Sequence, residues 1–137
     1  HTMSNKPISL KQALYRAGLG ISLFAFITKK AKDECETNLN NLIALAGDIH
    51  REVYRALLKH APQPPMNKLL NCIVYRQSDS LDQASFRAGL CTSLYETLLE
   101  QASQHCSEEL HDLLSLACDI NQEIYYSLYA AVNGEDE

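Results

Sequence analysis

Apolar and polar residues along this chain follow helical spacing, and they do so twice in matching register. From Leu10, apolar or small residues fall at Leu10, Ala13, Ala17, Gly20, Phe24, Ile27 and Ala31, in steps of three and four that mark one face of a helix. The same steps recur at Leu81, Ala84, Ala88, Cys91, Tyr95, Leu98 and Ala102. A second seam, Leu39, Leu42, Ala46, Ile49, Val53 and Ala56, is repeated as Leu110, Leu113, Ala117, Ile120, Ile124 and Ser127. Leu19/Leu90 and Leu23/Leu94 are expected to widen the buried face. Punctuation agrees with four helices. Ser9 and Ser80 each stand three residues before a glutamine, Gln12 and Gln83, as in a capping box. Pro62, Pro64 and Pro65 stop the second helix near His60.

The repeat is gapless. Residues 9–57 align with residues 80–128 at a constant offset of 71, with 21 of 49 positions identical. Such self-similarity predicts an internal duplication. The expected fold is therefore all-α: a pseudo-two-fold four-helix bundle made of two duplicated helical hairpins, repeats 9–60 and 80–131. The linker 61–79 contains an apolar stretch, Lys68–Arg76, that suggests a short extra helix. Residues 3–137 read as one domain, with His1 and Thr2 set aside as an expression remnant.

If each hairpin turns near residues 34–35, residues whose numbers sum to about 69 lie at the same level. That places Arg16 against Glu52 and, in the second repeat, Arg87 against Glu123, as structural ion pairs. It also sets Asp48 opposite Ser22, and Tyr54 and Tyr125 opposite Tyr15 and Phe86 as aromatic pairs. Gly18 and Gly89 stand mid-helix, where glycine is about 1 kcal/mol worse than alanine. Their recurrence predicts a close helix crossing between the two first helices.

Composition narrows the function. A hydrophobic content of 46% and charged content of 21% suit a globular chain, and the net charge of −5 disfavours a nucleic-acid partner. No apolar run is long enough to span a membrane, so a cytoplasmic setting is expected. The five cysteines, Cys35, Cys72, Cys91, Cys106 and Cys118, are scattered without a CxxC pair, and no metal site or other cofactor is expected. Cys35 and Cys106 are repeat-equivalent and fall at the two hairpin turns. Gly-rich phosphate loops and GxSxG or HExxH signatures do not occur, so the chain is read as a non-enzyme with no catalytic residues.

The expected role is a helical binding protein that sequesters or regulates a protein partner, of the immunity-protein, antitoxin or anti-activator type. It is expected as a monomer or small homo-oligomer. The partner-binding residues expected are Tyr126, Tyr129 and Glu123, with Tyr75 from the linker, because exposed tyrosines suit interfaces. Two alternatives stand beside it. Arg55-Ala-Leu-Leu-Lys-His60 resembles the arginine-x4-histidine motif of the HEPN ribonucleases, themselves helical bundles, and implies an RNase acting through Arg55 and His60. The resemblance covers those two residues; Ala56 follows the arginine where that family usually has a polar residue, and Tyr126 and Ala131 stand at the equivalent places of the second repeat. The other alternative is a structural, self-assembling helical protein.

Overall fold

The computed structural model describes residues 6–60 and 80–134, and all regular structure among them is helical. Four helices follow one another: α1 Leu10–Glu34, α2 Thr37–His60, α3 Leu81–His105 and α4 Glu108–Asn133. The linker helix expected at Lys68–Arg76 lies outside the described residues, as does Tyr75.

The helix starts are set by local hydrogen bonds. Ser9 closes a reciprocal capping box: its hydroxyl accepts from the Gln12 amide, and the Gln12 side chain accepts from the Ser9 amide. Ser80 and Ser107 cap α3 and α4 through the amides of Gln83 and Leu110. Gly134 ends α4 with φ 71°, a left-handed conformation that glycine adopts without a Cβ penalty.

Each helix packs against two others, in the cyclic order α1, α2, α3, α4. Neighbours run antiparallel, as shown by the contacts of Arg16 and Glu34 in α1 with Glu123 and Ser107 in α4. The two first helices, α1 and α3, therefore stand on one diagonal. Both short turns, Cys35-Glu36 and Cys106-Ser107, lie at one end of the bundle.

The seam expected on α1 is buried from Ala13 to Ala31, and that on α3 from Ala84 to Ala102, with Ser85 added. In the second helices the interior is broader and slightly rotated. Ile43 and Leu114 are buried where Leu42 and Leu113 were expected, and Asn121 is buried where Ile120 was expected. The buried stripe of these helices therefore extends beyond a single a/d-type seam. Leu19 and Leu90 do not widen the core: they are 46% and 49% exposed.

The ion pairs expected within each hairpin are exchanged between hairpins. Arg16 of α1 pairs with Glu123 of α4, and Arg87 of α3 pairs with Glu52 of α2 at 2.7 Å. The sum of residue numbers fixes height along the bundle, and Glu52 and Glu123 share a height. Azimuth then decides the partner, and these arginines lie on the side of the opposite hairpin. Asp48 likewise pairs with Arg51 on its own helix, while Ser22 is exposed.

The glycine crossing is also corrected. A Cβ on Gly18 would lie 3.8 Å from the Tyr54 ring, and one on Gly89 would lie 3.1 Å from the Tyr125 ring. Each glycine makes room for the tyrosine of its own hairpin, not for a backbone of the other first helix. This displaces the expected aromatic pairs: Tyr15 and Phe86 point outward, at 68% and 64% exposure.

Exposed-edge pairs of this kind are worth about 0.5–1 kcal/mol. A double-mutant cycle on Arg16→Ala and Glu123→Ala is expected to return a coupling of that size. The same cycle on Arg16 and Glu52 should return about zero, and a reversed order would restore pairing within the hairpin.

Candidate functional site

A groove of about 450 Å³ lies between the first half of α3 and the last turns of α4. Phe86, Gly89 and Leu90 line one wall, Tyr125, Tyr129 and Val132 the other, with Asp82 and Asn133 at the mouth. The absent side chain of Gly89 lets Tyr125 lie flat into the helix pair. Tyr125 in turn supports Tyr126 and Tyr129, its ring centroid 5.8 Å and 6.1 Å from theirs in tilted arrangements. Tyr126 and Tyr129 remain 57% and 48% exposed.

Of the expected partner-binding residues, Tyr129 lines this groove, while Tyr126 is exposed beside Tyr125 and outside the lining. Glu123 is turned away, half-buried in its pair with Arg16. Sequence reading missed the groove's apolar residues as a surface: Phe86 was expected in a ring pair with Tyr125, Leu90 on the buried face, and Val132 was not singled out. The signal was present: Leu19/Leu90 and Leu45/Leu116 are kept in both repeats and exposed in both.

Charge supplies a second signal that net charge conceals. Residues 9–60 carry eight Lys/Arg against five Asp/Glu, a net of +3. Residues 80–131 carry one against eight, a net of −7. Where the second hairpin has Asp82, Tyr126 and Ala130, the first hairpin has Lys11, Arg55 and Lys59 at the equivalent positions, and of these Asp82 lines the groove. Two faces with similar apolar residues thus differ in electrostatic sign.

The bundle interior holds a polar pair. His50 of α2 and Tyr95 of α3 are both buried, and His50 Nε2 shares a 2.7 Å hydrogen bond with the Tyr95 hydroxyl. The His50 ring also rests against Phe24, with centroids 5.1 Å apart. Burial, helped by the charge of Arg51, lowers the His50 pKa from 6.5 to about 4, and burial raises that of Tyr95. Both groups are therefore neutral near pH 7. The repeat-equivalent of His50, Asn121, donates to the Ala88 carbonyl at 3.2 Å and to Thr92 Oγ1 at 3.3 Å.

Elsewhere the described residues offer little room for chemistry. The cleft beside Glu52, Gln83, Ala84 and Arg87 is about 40 Å³, space for a water or two, well below a ligand pocket of several hundred Å³. Arg55 lies half-buried on α2 and His60 is exposed at its last residue. Among the described residues no three or more His, Cys, Asp or Glu side chains gather as a metal cage, and no helix is long and apolar enough to cross a membrane.

Comparison with protein families, with curated proteins and with solved structures gives no match for this chain.

Because His50 is neutral in the fold but protonates at 6.5 when unfolded, the unfolded chain binds the extra proton between pH 6.5 and 4. Stability from this group is full above pH 6.5 and is lost as pH falls toward 4. The difference in unfolding free energy between wild type and His50→Gln is expected to shrink by about 3 kcal/mol from pH 7 to pH 4 in urea titrations. A pH-independent difference would refute a neutral buried histidine. On the first hairpin, Gly18→Ala should stabilise by up to about 1 kcal/mol, since 3.8 Å from the Tyr54 ring is ordinary contact. Gly89→Ala should gain less, because the Tyr125 ring at 3.1 Å must shift; thermal melts of the two variants compare them directly.

Proposed function

We propose that the protein is a non-enzymatic binding module that sequesters or regulates a protein partner, in the manner of an immunity protein, antitoxin or anti-activator. The partner presents a cationic amphipathic helix, which lies in the α3–α4 groove with its apolar stripe on Phe86, Leu90, Tyr129 and Val132. The observation that carries this reading is an exposed, tyrosine-lined apolar groove on a hairpin of net charge −7. Helix-in-groove docking uses an apolar stripe for affinity, and opposite charge steers encounter and selects against acidic competitors. Large apolar side chains exposed together on a rigid helix pair suit an interface better than solvent.

We further infer that the two hairpins descend from one unit and are related by an approximate two-fold axis. Reciprocal Arg–Glu pairs and the contact of equivalent cysteines support that inference. On this view the first hairpin keeps the ancestral apolar positions with cations around them, and the second has turned the same face toward a basic partner.

A fluorescently labelled, 18-residue Lys/Leu amphipathic peptide and its Glu/Leu counterpart test the chemistry. The basic peptide is expected to bind, with affinity falling as salt rises. It should lose at least about tenfold on Leu90→Asp or Tyr129→Ala, a central hot-spot loss of about 1.4 kcal/mol or more. Equal binding of both peptides, or binding indifferent to the groove variants, overturns the reading.

A further inference from the structure

The repeat-equivalent cysteines Cys35 and Cys106 end α1 and α3, and their sulfurs lie 3.3 Å apart across the two hairpins. Each residue is the C-cap of its helix, its amide held by the carbonyl four residues back, Ala31 and Ala102. The surroundings hold the two ends together independently of the sulfurs. The Ser107 amide donates to Glu34 Oε1 at 3.0 Å, and the Ser107 hydroxyl donates to Oε2 at 2.9 Å. Lys30 bridges Glu34 and Glu109, each at 3.1 Å. A disulfide needs a sulfur separation of about 2.05 Å, so closure from 3.3 Å calls for a movement of roughly an ångström shared by two side chains.

We propose that Cys35 and Cys106 are an oxidation site at which a low-molecular-weight disulfide such as oxidised glutathione installs a covalent tie between the hairpins. One cysteine gives its proton to solvent and its sulfur attacks a glutathione sulfur. The glutathione S–S bond breaks, a mixed disulfide forms and one glutathione thiolate leaves. The second cysteine, deprotonated in turn, attacks the protein sulfur of the mixed disulfide, forming the Cys35–Cys106 bond and releasing the second glutathione. Two protein thiols are oxidised, one glutathione disulfide is reduced to two thiols, and the protons balance. Burial and the neighbouring Cys106 push the Cys35 thiol up to about 12, so the exchange is slow at pH 7 and accelerates as pH rises and thiolate accumulates.

The tie would close a loop of 71 residues that otherwise relies on non-covalent contacts, a span over which cross-linking restricts the unfolded chain strongly. It sits at the turn end, whereas the α3–α4 groove lies at the opposite end. The proposal is thus independent of what the groove binds.

The test uses the reduced full-length protein incubated with oxidised glutathione at pH 7 and pH 9. The expected product has lost two thiols, carries no glutathione, and melts higher by roughly 10 °C, reversed by dithiothreitol. Digestion after glutamate should join the peptide Cys35-Glu36 to the peptide Gln101–Glu108, and the product should form faster at pH 9. Cys35→Ser should instead retain one glutathione on Cys106 with an unchanged Tm relative to its own reduced form. A stable glutathione adduct on wild type, a bond drawing in Cys72, Cys91 or Cys118 instead, or a cross-linked protein that melts no higher than the reduced one would overturn the proposal.

Discussion

The architecture depends on small residues placed where helices meet. Ala13, Ala17, Gly20 and Ala31 on α1, and Ala84, Ala88, Cys91 and Ala102 on α3, are buried along the helix faces that meet the neighbours. Ala46, Gly47 and Ala56 on α2, and Ala117 on α4, answer them. Short side chains at a contact let helix axes approach, and the approach is what allows every helix to touch two others. Gly47, for example, leaves the Phe24 ring 3.2 Å from where a Cβ would stand. Volume is restored between these contacts by the buried side chains of Phe24, Ile27, Tyr95, Leu98, Ile124 and Leu128.

That packing decides which polar groups meet. Once α1 lies against both α2 and α4, Arg16 can choose between two glutamates at one height, and it takes the one on the other hairpin. Each exchanged pair adds little stability, but two reciprocal pairs discriminate against a bundle in which one hairpin has slid by a turn. The interior makes the same distinction more sharply. The hydroxyl that separates Tyr95 from Phe24 is satisfied only by His50, and Asn121 satisfies itself through the Ala88 carbonyl. Separating α2 from α3 would strand the buried Tyr95 hydroxyl and His50 in apolar surroundings, a penalty of about 1–3 kcal/mol each, whereas Asn121 keeps its partners within its own hairpin.

Helix number, helix ends and the α1 and α3 seams were legible in the sequence because they are local or periodic. Ser9, Gln12 and Ser80 act within one turn, and Ala13 to Ala31 recur with the helix period. The identity of packing partners was not legible. Numbering places Arg16 level with Glu52, but level is a coordinate along the axis, and the angle around it comes only from the assembled ring of four helices. Gly18 and Gly89 show the same limit: a recurring glycine announces that something comes close, and here it is the ring of Tyr54 or Tyr125. In the groove, Tyr126 stood out because three tyrosines crowd one helix end. Phe86 and Leu90 did not, because Phe86 was read as the ring partner of Tyr125 and Leu90 as a flank of the buried seam. The sulfur contact was half legible: Cys35 and Cys106 were placed at the turns, but that the two turns meet at one end of the bundle with the sulfurs 3.3 Å apart came only from the assembled helices.

The division of charge between the hairpins bears on folding and on binding at once. With a net of +3 on residues 9–60 and −7 on residues 80–131, the hairpins attract each other, and Arg16–Glu123, Arg87–Glu52 and Lys30–Glu109 all join one to the other. The attraction is unequal, so assembly neutralises the first hairpin's excess and leaves negative charge over on the second. Of the second hairpin's acids Asp82 lines the groove itself; most of the others lie farther along α3 and α4 toward the turns, where a Debye length of about 8 Å at physiological salt confines their effect. The tyrosine-lined groove lies on those helices, on backbone already fixed by the core. A basic helix arriving there would meet a surface that needs no ordering, which lowers the entropic penalty of association relative to a flexible loop. On the proposed reading, the same imbalance would also disfavour a second copy offering its own α3–α4 face.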